Sequence, residues 1–397
     1  MNLQNAPDRD RPLPGPPDPW TASSMPPLRP GPPFVMTEMI DAEPAVAERI
    51  ASRLLPPDSP AAVLATQIRR ALERGEPVVF TGCGTSEHAA IGAADIVRGA
   101  ARDTGLIVSL VTSEQALELA LDPPDRGVVI AISHEGASAA TNRAVEASRD
   151  AGASTAIVTV TERSPGGRLA DVVVTTDELD QGWCHTIGYL APLVAATVVA
   201  AHLANQALDP RAVRARVEAG LASAGDAERL AAALLETGPI LAIGSGTDRP
   251  AARELVLKIE EGAWIPSAMR DLETFLHGHL AATDAKTGLV VLLTDPAGRA
   301  ARVERTRQAL AAARAIGIVA GAILAADADV AIDPELTPAG RIVIPEDRVL
   351  PGEAGSLLGT VVPLQLLTER LARAAGVNPD PIRRDDPRYL AAARAAE

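Results

Sequence analysis

The pattern of hydrophobic positions along this chain predicts short strands that alternate with amphipathic helices. A strand at 78–80 leads into a glycine turn at 82–86 and then a helix, and the same unit returns at 128–132 with a turn at 133–138. This alternation is typical of a parallel sheet covered by helices on both faces. The other strands predicted in this half are 106–111, 155–160 and 171–175.

The pattern begins again after an alanine-rich helical connector at 190–235. A strand at 240–243, a turn at 244–248 and a helix repeat the opening unit in order and spacing. Further strands are predicted at 288–293, 319–324 and 341–344. We therefore expect two copies of one α/β fold.

The segment that precedes the first copy has a different composition. Residues 1–35 are rich in proline with scattered Asp and Arg, which predicts a disordered tail. Helical spacing follows at 37–55, with a break expected at Pro44, and at 61–74, where Gly75 ends the helix. These two helices are predicted to lead into the first sheet.

Ionisable side chains concentrate at 254–279. Glu254, Lys258 and Glu261 stand at i, i+4 and i+7, so they share one face of the predicted helix. Glu273 and His277 are also four residues apart, and all five side chains are expected around one cavity. The alternative is a solvated face with an ordinary ion pair.

The turns that follow the strands are candidates for ligand binding. Ligands of parallel sheets bind beyond the carboxyl ends of the strands, where helix N-termini present free N–H groups to an anion. The turns 83–86 and 133–138 stand at such ends and are rich in hydroxyl residues. Each is equally explained as an ordinary turn with a helix cap.

Composition narrows the function classes. The chain has 397 residues, enough for two domains, and its net charge of -14 argues against nucleic acid as a partner. Two cysteines, no apolar N-terminal signal and no apolar run of membrane-spanning length without a charge or a turn residue indicate a cytoplasmic protein. Five histidines fall near the predicted turns, but no spacing typical of metal ligands accompanies them, so we expect no metal or other cofactor. These are His88, His134, His185, His277 and His279.

Several motifs, in one order, resemble the sugar isomerase (SIS) family, and within it the isomerase half of the glutamine-fructose-6-phosphate aminotransferases. They are TEMIDAEPAV, CGTS, SHEGAS, ELVLKIEE, ETFLHGH and VPLQLLTERLARAAGVNPD, and they span 36–380. The resemblance implies two tandem SIS domains with flavodoxin-like sheets, at 36–208 and 209–373. It also implies a homodimer, and a C-terminal tail at 374–397 that lies over the active site.

The resemblance also implies roles for individual residues. Glu261 is expected to move a proton between the first two sugar carbons, and His277 to assist ring opening from the neighbouring subunit. The expected ligand-binding residues are Gly84, Thr85, Ser86, Ser133, His134, Glu135, Ser138, His185, Glu254 and Lys258.

Three departures from the family limit what is carried over. Asn2 and a proline-rich segment stand in place of the family's glutaminase domain, so ammonia release from glutamine by that route is not expected. Ala392 replaces the family's Schiff-base lysine. Glu135 replaces a phosphate-binding serine, and a carboxylate there repels a phosphate dianion. We therefore expect a ligand that is unphosphorylated or carries an amine.

Two function classes remain open from the sequence. One is an enzyme, either an aldose-ketose isomerase or a deglycase of sugar-amine adducts, with Glu261 as proton shuttle. The other is a protein that binds a sugar or amino sugar without converting it. The retention of both Glu261 and His277 favours the enzyme, whereas Glu135 and Ala392 favour the binding protein.

Overall fold

The first half of the chain forms a five-stranded parallel sheet. In the computed structural model, which describes residues 9–396, the strand order is β2-β1-β3-β4-β5. Val78 of β1 lies between Val111 of β2 and Val128 of β3. The strands are β1 Val78–Gly82, β2 Val111–Gln115, β3 Val128–Ile132, β4 Ser154–Thr159 and β5 Val172–Thr175.

The second half repeats this sheet. Its order, β10-β9-β8-β6-β7, places β6 beside β7 and β8 just as β1 stands beside β2 and β3, and every pair is parallel. The predicted pair of α/β sheets is confirmed. The strands are β6 Ile240–Gly244, β7 Ser267–Asp271, β8 Gly288–Leu293, β9 Val319–Ala325 and β10 Gly340–Ile344.

Sequence patterns misplaced the edge strand next to the opening strand of each sheet. β2 was predicted at 106–111 but begins at Val111, after a 3-10 turn at Val108–Leu110, and β7 was not predicted at all. Their sequences, VTSEQ and SAMRD, are mixed in polarity, and their residues are mostly half-exposed or exposed. An edge strand is covered less completely than a central one, so it lacks the apolar run from which the inner strands are recognised.

Helices cover both sheets. α1 Val35–Leu54 continues through Pro44, so the predicted break there is wrong; buried side chains on both sides of Pro44 hold the helix against the core. The helices after it are α2 Pro60–Glu73, α3 Thr85–Asp103, α4 Ala116–Leu121, α5 Ala139–Ala151, α6 Ile187–Ala204, α7 Pro210–Glu218, α8 Ala224–Leu235, α9 Asp248–Ala263, α10 Leu272–Leu276, α11 Arg299–Ile316, α12 Ala326–Asp329, α13 Gly352–Ala375 and α14 Pro387–Ala396.

One hydrophobic core joins the two copies. Buried residues of both sheets, such as Ile130 and Val290, belong to one contiguous cluster that includes α3, α6, α9 and α13. α6 has the length and hydropathy of a membrane span, and it contains Gly188 and Pro192. Its window is 89% buried inside the fold, and this burial accounts for its apolar composition.

The N-terminal segment contains no helix or strand between residues 9 and 34. Residues 1–8 of the predicted tail lie outside the described part of the chain, and the predicted disorder stays a prediction. The described part contacts the first sheet: the N–H of Leu179 donates to the carbonyl of Pro14, and Leu13 packs against the main core.

A buried acid in α1 makes the stability of the fold depend on pH. Glu43 is fully buried, with Oε1 accepting from Gln365 Nε2 at 2.8 Å and Oε2 unpartnered. Burial raises the pKa of Glu43 well above its ordinary value of 4.5, although the bond from Gln365 opposes the shift. The folded chain therefore holds a proton that the unfolded chain releases, so stability falls as pH rises above 4.5.

We predict that Glu43→Gln raises the melting temperature at about pH 8, with a difference that shrinks towards about pH 5. The amide keeps an acceptor for Gln365 and cannot ionise. Glu38→Gln on the same helix is the control, because its partly exposed carboxylate pairs with Arg29. Parallel pH profiles for the wild type and Glu43→Gln would contradict the assignment.

Candidate active site

A buried carboxylate joins the two copies of the fold. The turn through Gly84, which has a φ of 58°, starts α3 directly after β1, and α3 packs against α9. Thr85 Oγ1 donates to Glu254 Oε1 at 3.2 Å, and His88 Nδ1 lies 2.8 Å from Glu254 Oε2. Both oxygens of the second copy's Glu254 are therefore held by the first copy.

Lys258 lies one turn further along α9 and links two acids. Its side chain is 1% exposed, with Nζ 2.6 Å from Glu261 Oε2 and 3.6 Å from Glu254 Oε1. Burial opposes its charge, but Glu261 and Glu254 together raise the pKa of Lys258 above its ordinary value. Burial also disfavours the charge of Glu254, but Lys258 and His88 lower the pKa of that carboxyl. Lys258 therefore stays a cation and Glu254 an anion.

Glu261 is the member of this cluster that reaches a cavity. Its side chain is 25% exposed and lines a space of about 510 Å³. Burial raises the pKa of Glu261, against the attraction of Lys258. A carboxyl whose proton affinity is raised, at the wall of a cavity, is suited to accept and return a proton.

The C-terminal segment forms the opposite wall of this cavity. The lining residues are Glu260, Glu261, Trp264, Ile265, Pro266, Ile382, Arg383, Arg384 and Tyr389. The two arginines and the tyrosine thus lie beside Glu261, although sequence analysis assigned them no role.

The loop 133–138 contains His134, a buried side chain that lies beside His185. His134 Nε2 accepts from the N–H of Asp180 at 2.9 Å, and its ring lies 5.2 Å from that of His185. Burial lowers the pKa of His134 to about 3 and that of His185 to about 4. Both rings are therefore neutral near pH 7, and the tautomer of His134 is fixed by Asp180.

The remaining predicted hydroxyls differ in exposure. Ser133 is buried, and Ser86 is half-buried. Ser138 precedes α5 and accepts a hydrogen bond from Thr141 Oγ1 at 3.2 Å. Their role as ligand contacts stays a prediction.

The N-terminal segment crosses the loops that follow three neighbouring strands. The N–H of Leu13 donates to Glu178 beyond β5 at 3.0 Å, and Arg163 beyond β4 donates to the carbonyl of Pro16 at 3.4 Å. The N–H of Ser23 donates to Glu135 Oε2 beyond β3 at 2.9 Å. In the structure, the expected ligand contact of Glu135 is thus taken by the chain's own backbone.

His277 does not line the cavity beside Glu261. Its side chain is 68% exposed, with Nε2 2.7 Å from Glu273 Oε1, and Glu273 also binds Arg305. The expectation that these two residues share a cavity with Glu254, Lys258 and Glu261 is therefore wrong within one chain. α10 packs instead against α11 and β7, with Leu272 and Phe275 buried in the core of the second sheet.

Two carboxylates bind the loops beyond strands β6 and β8 of the second copy. Asp295 Oδ2 accepts from the N–H of Thr247 at 2.9 Å and pairs with Arg302. Asp248 accepts from the N–H of Thr294 at 2.8 Å. Asp248 and Asp295 therefore bind the protein's own N–H groups beyond β6 and β8, and a space of about 370 Å³ lined in part by Thr247, Asp295 and Arg302 remains there.

A metal site is not evident in the part of the chain that the structure describes. Between residues 9 and 396, no group of three His, Cys, Asp or Glu side chains has the arrangement of metal ligands. Cys83 and Cys184 are free, and burial raises the pKa of the Cys184 thiol, which disfavours a thiolate.

Comparisons with known proteins agree with the motifs. No family model matches the chain. Glutamine-fructose-6-phosphate aminotransferase of Methanothermobacter thermautotrophicus is 27% identical over 317 residues, which are 77% of this chain and 50% of that protein. The predicted relationship to these aminotransferases is confirmed. The chain spans about half the length of the curated relatives it matches.

Solved structures establish the fold as that of sugar isomerase proteins. The C-terminal domain of glucosamine-fructose-6-phosphate aminotransferase from Francisella tularensis superposes with a TM-score of 0.74 at 19% identity, covering 89% of this chain and 99% of that one. Tagatose-6-phosphate ketose/aldose isomerase from Escherichia coli gives 0.68 at 19% identity, covering 90% and 98%.

Sequence analysis assigned no role to three groups of contacts. The contact of His88 with Glu254 was not predicted, although the place of His88 one turn into α3 directs it at α9. The adjacent arginines at 383 and 384 were visible as a basic pair in a proline-rich stretch. Nothing local to Ser23 indicates its bond to Glu135, because the two residues are 112 positions apart.

We predict that Ser23→Pro loosens the N-terminal segment, because proline has no N–H to donate to Glu135. Backbone hydrogen exchange across residues 9–34, measured by mass spectrometry, should become about tenfold faster. Ser24→Pro is the matched control, since Ser24 is exposed and its N–H has no partner among the described residues. Equal exchange in the two variants would show that the Ser23 contact does not anchor the segment.

Proposed function

We propose that this protein is a sugar or amino-sugar isomerase, or a deglycase of sugar-amine adducts, in which Glu261 moves the proton. The observation that carries the proposal is the placement of Glu261, whose carboxyl is bound by a buried lysine, has a raised pKa and faces a cavity. The solved structures with this fold include a ketose/aldose isomerase.

The proposed reaction requires one carboxyl to act twice. As a carboxylate, Glu261 removes the proton from the carbon next to the carbonyl, which leaves an enediolate; as an acid, it returns this proton to the former carbonyl carbon, while the hydroxyl proton passes between the two oxygens. Lys258 stabilises the carboxylate form at 2.6 Å, and burial favours the acid form and raises the pKa of Glu261. Glu254 balances the charge of Lys258 in both states.

We propose that the active unit is a homodimer in which His277 of one subunit reaches the site of the other. Within its own chain, His277 is exposed and held by Glu273. An exposed imidazole fixed by a carboxylate is oriented to act on a neighbouring molecule. Ring opening of the sugar would be its task.

A protein that binds its ligand without turnover is the second candidate. The observation in its favour is that the N–H of Ser23 donates to Glu135, in the loop where the family is expected to bind phosphate. Ala392 also excludes an imine formed by that residue, although proton transfer by Glu261 does not need one.

We further propose the cytoplasm as the place of action, because both cysteines are free thiols.

We predict that Glu261→Gln abolishes proton transfer but leaves binding nearly intact. Deuterium uptake from heavy water at the first carbon of fructose 6-phosphate or the second carbon of glucosamine 6-phosphate should fall about 100-fold or more. Glu260→Gln is the neighbouring control and should retain exchange, because Glu260 is exposed and accepts from the N–H of Ser267. Unchanged uptake in Glu261→Gln would place the base elsewhere, and no uptake by the wild-type chain would favour the binding protein.

We predict that Glu261→Gln and His277→Asn complement each other in mixed dimers. If each site takes one residue from each subunit, random mixing of two inactive variants restores about a quarter of the wild-type activity. Sites built within single chains would stay inactive in every mixture. A monomer by light scattering at micromolar concentration would also refute the shared site.

A further inference from the structure

The cavity beside Glu261 contains two positive charges that no acid pairs with. Its lining has four charged side chains, of which Glu260 accepts from the N–H of Ser267 at 3.3 Å and Glu261 pairs with Lys258. Among the described residues, Arg383 and Arg384 form no ion pair. Asp386, whose pKa is lowered chiefly by Arg388 and to a lesser degree by Arg383, is bound to Arg388 at 2.6 Å.

Aromatic rings fix the direction of both guanidinium groups. Arg383 Cζ lies 4.7 Å from the centre of the Trp264 ring and 4.1 Å from that of Tyr389, and Arg384 Cζ lies 5.3 Å from that of Trp183. A ring that stacks on a guanidinium covers its face and leaves the N–H groups at its edge free. The two arginines therefore retain donors that are already oriented.

The backbone that presents these arginines is strained. Ile382 and Arg383 have φ values of 43° and 63°, in the left-handed region that non-glycine residues rarely adopt. This conformation is particularly unfavourable for a β-branched residue such as Ile382. Strain of this kind is retained where the surrounding contacts fix it, often at ligand-binding segments.

The other candidate position for an anion is blocked. At loop 133–138 the Glu135 carboxylate occupies the place expected for a phosphoryl group and is bound by Ser23. A ligand's negative charge would be repelled by Glu135 and attracted by Arg383 and Arg384.

We propose that Arg383 and Arg384 form an anion subsite for an acidic substituent of the sugar derivative whose reacting carbons lie at Glu261. This inference deepens the proposed function and rests on it for the position of the sugar. The cavity of about 510 Å³ falls within the usual range for small-ligand pockets. The shared chemistry is an oxyanion that accepts from guanidinium edges, supplied either by a carboxylate, as in a sugar-amino acid conjugate, or by a phosphate.

Calorimetry with two matched pairs of probes tests the subsite and separates the two sources. Fructosylglycine is compared with 1-amino-1-deoxyfructose, and fructose 6-phosphate with fructose. The wild-type chain should prefer the acidic member of at least one pair, and the preferred pair identifies carboxylate or phosphate. Arg383→Gln and Arg384→Gln should each weaken the binding of that acidic probe about 10- to 100-fold. The binding of its partner, which lacks the acidic group, should be unchanged.

Arg388→Gln is the control, because Arg388 belongs to the same segment but is exposed and paired with Asp386. The proposal is overturned if the wild type prefers neither acidic probe, or if the two arginine variants bind the acidic probe as the wild type does. It is also overturned if the acidic probe and the partner that lacks the acidic group lose affinity equally. The result is independent of turnover: selective loss of affinity without deuterium exchange would keep the subsite and reject the isomerase.

Discussion

The pairing of Lys258 with Glu254 and Glu261 is the interaction on which the arrangement of the site depends. A buried cation and two carboxylates lose hydration, which costs several kcal/mol per ion, and this cost is recovered only with close partners. Those partners come from both copies of the fold, because Thr85 and His88 of α3 complete the contacts of Glu254. Apolar residues of similar volume would hold α3 against α9 at least as well. We therefore attribute the cluster to the proposed function of Glu261 and not to stability.

The two copies share a topology but treat their strand ends differently. In the second copy, Asp248 and Asp295 accept hydrogen bonds from backbone N–H groups of the loops beyond β6 and β8. In the first, the N-terminal segment crosses the loops beyond β5, β4 and β3, and Ser23 reaches Glu135. The space beside Glu261 lies at the end of α9, between Glu261 and the C-terminal segment. One duplicated fold thus presents a single junction at which chemistry is proposed.

Local sequence pattern predicts what is locally determined here. The inner strands are apolar throughout because helices cover both faces, and the spacing of Glu254, Lys258 and Glu261 fixes their common face on α9. β7 escaped prediction because its residues are only half-buried. The bond from Ser23 to Glu135 and the wall formed by Arg383 depend on how distant segments pack, and no periodicity encodes that. The separation of His277 from Glu261 within one chain was also not predicted, because the spacing of Glu273 and His277 does not encode how α10 packs.

The distribution of charge distinguishes the loop after β3 from the cavity beside Glu261. Glu135 puts a negative charge in the loop after β3, and the N–H of Ser23 partly compensates it. Two charges about 4 Å apart at an effective dielectric of 20 interact by on the order of 4 kcal/mol, more than the roughly 1 kcal/mol of a neutral hydrogen bond. An acidic ligand therefore cannot be held in that loop by its hydroxyls alone. Arg383 and Arg384 place positive charge beside Glu261. The proposed anion subsite and the proposed proton-transferring carboxyl therefore line the same cavity.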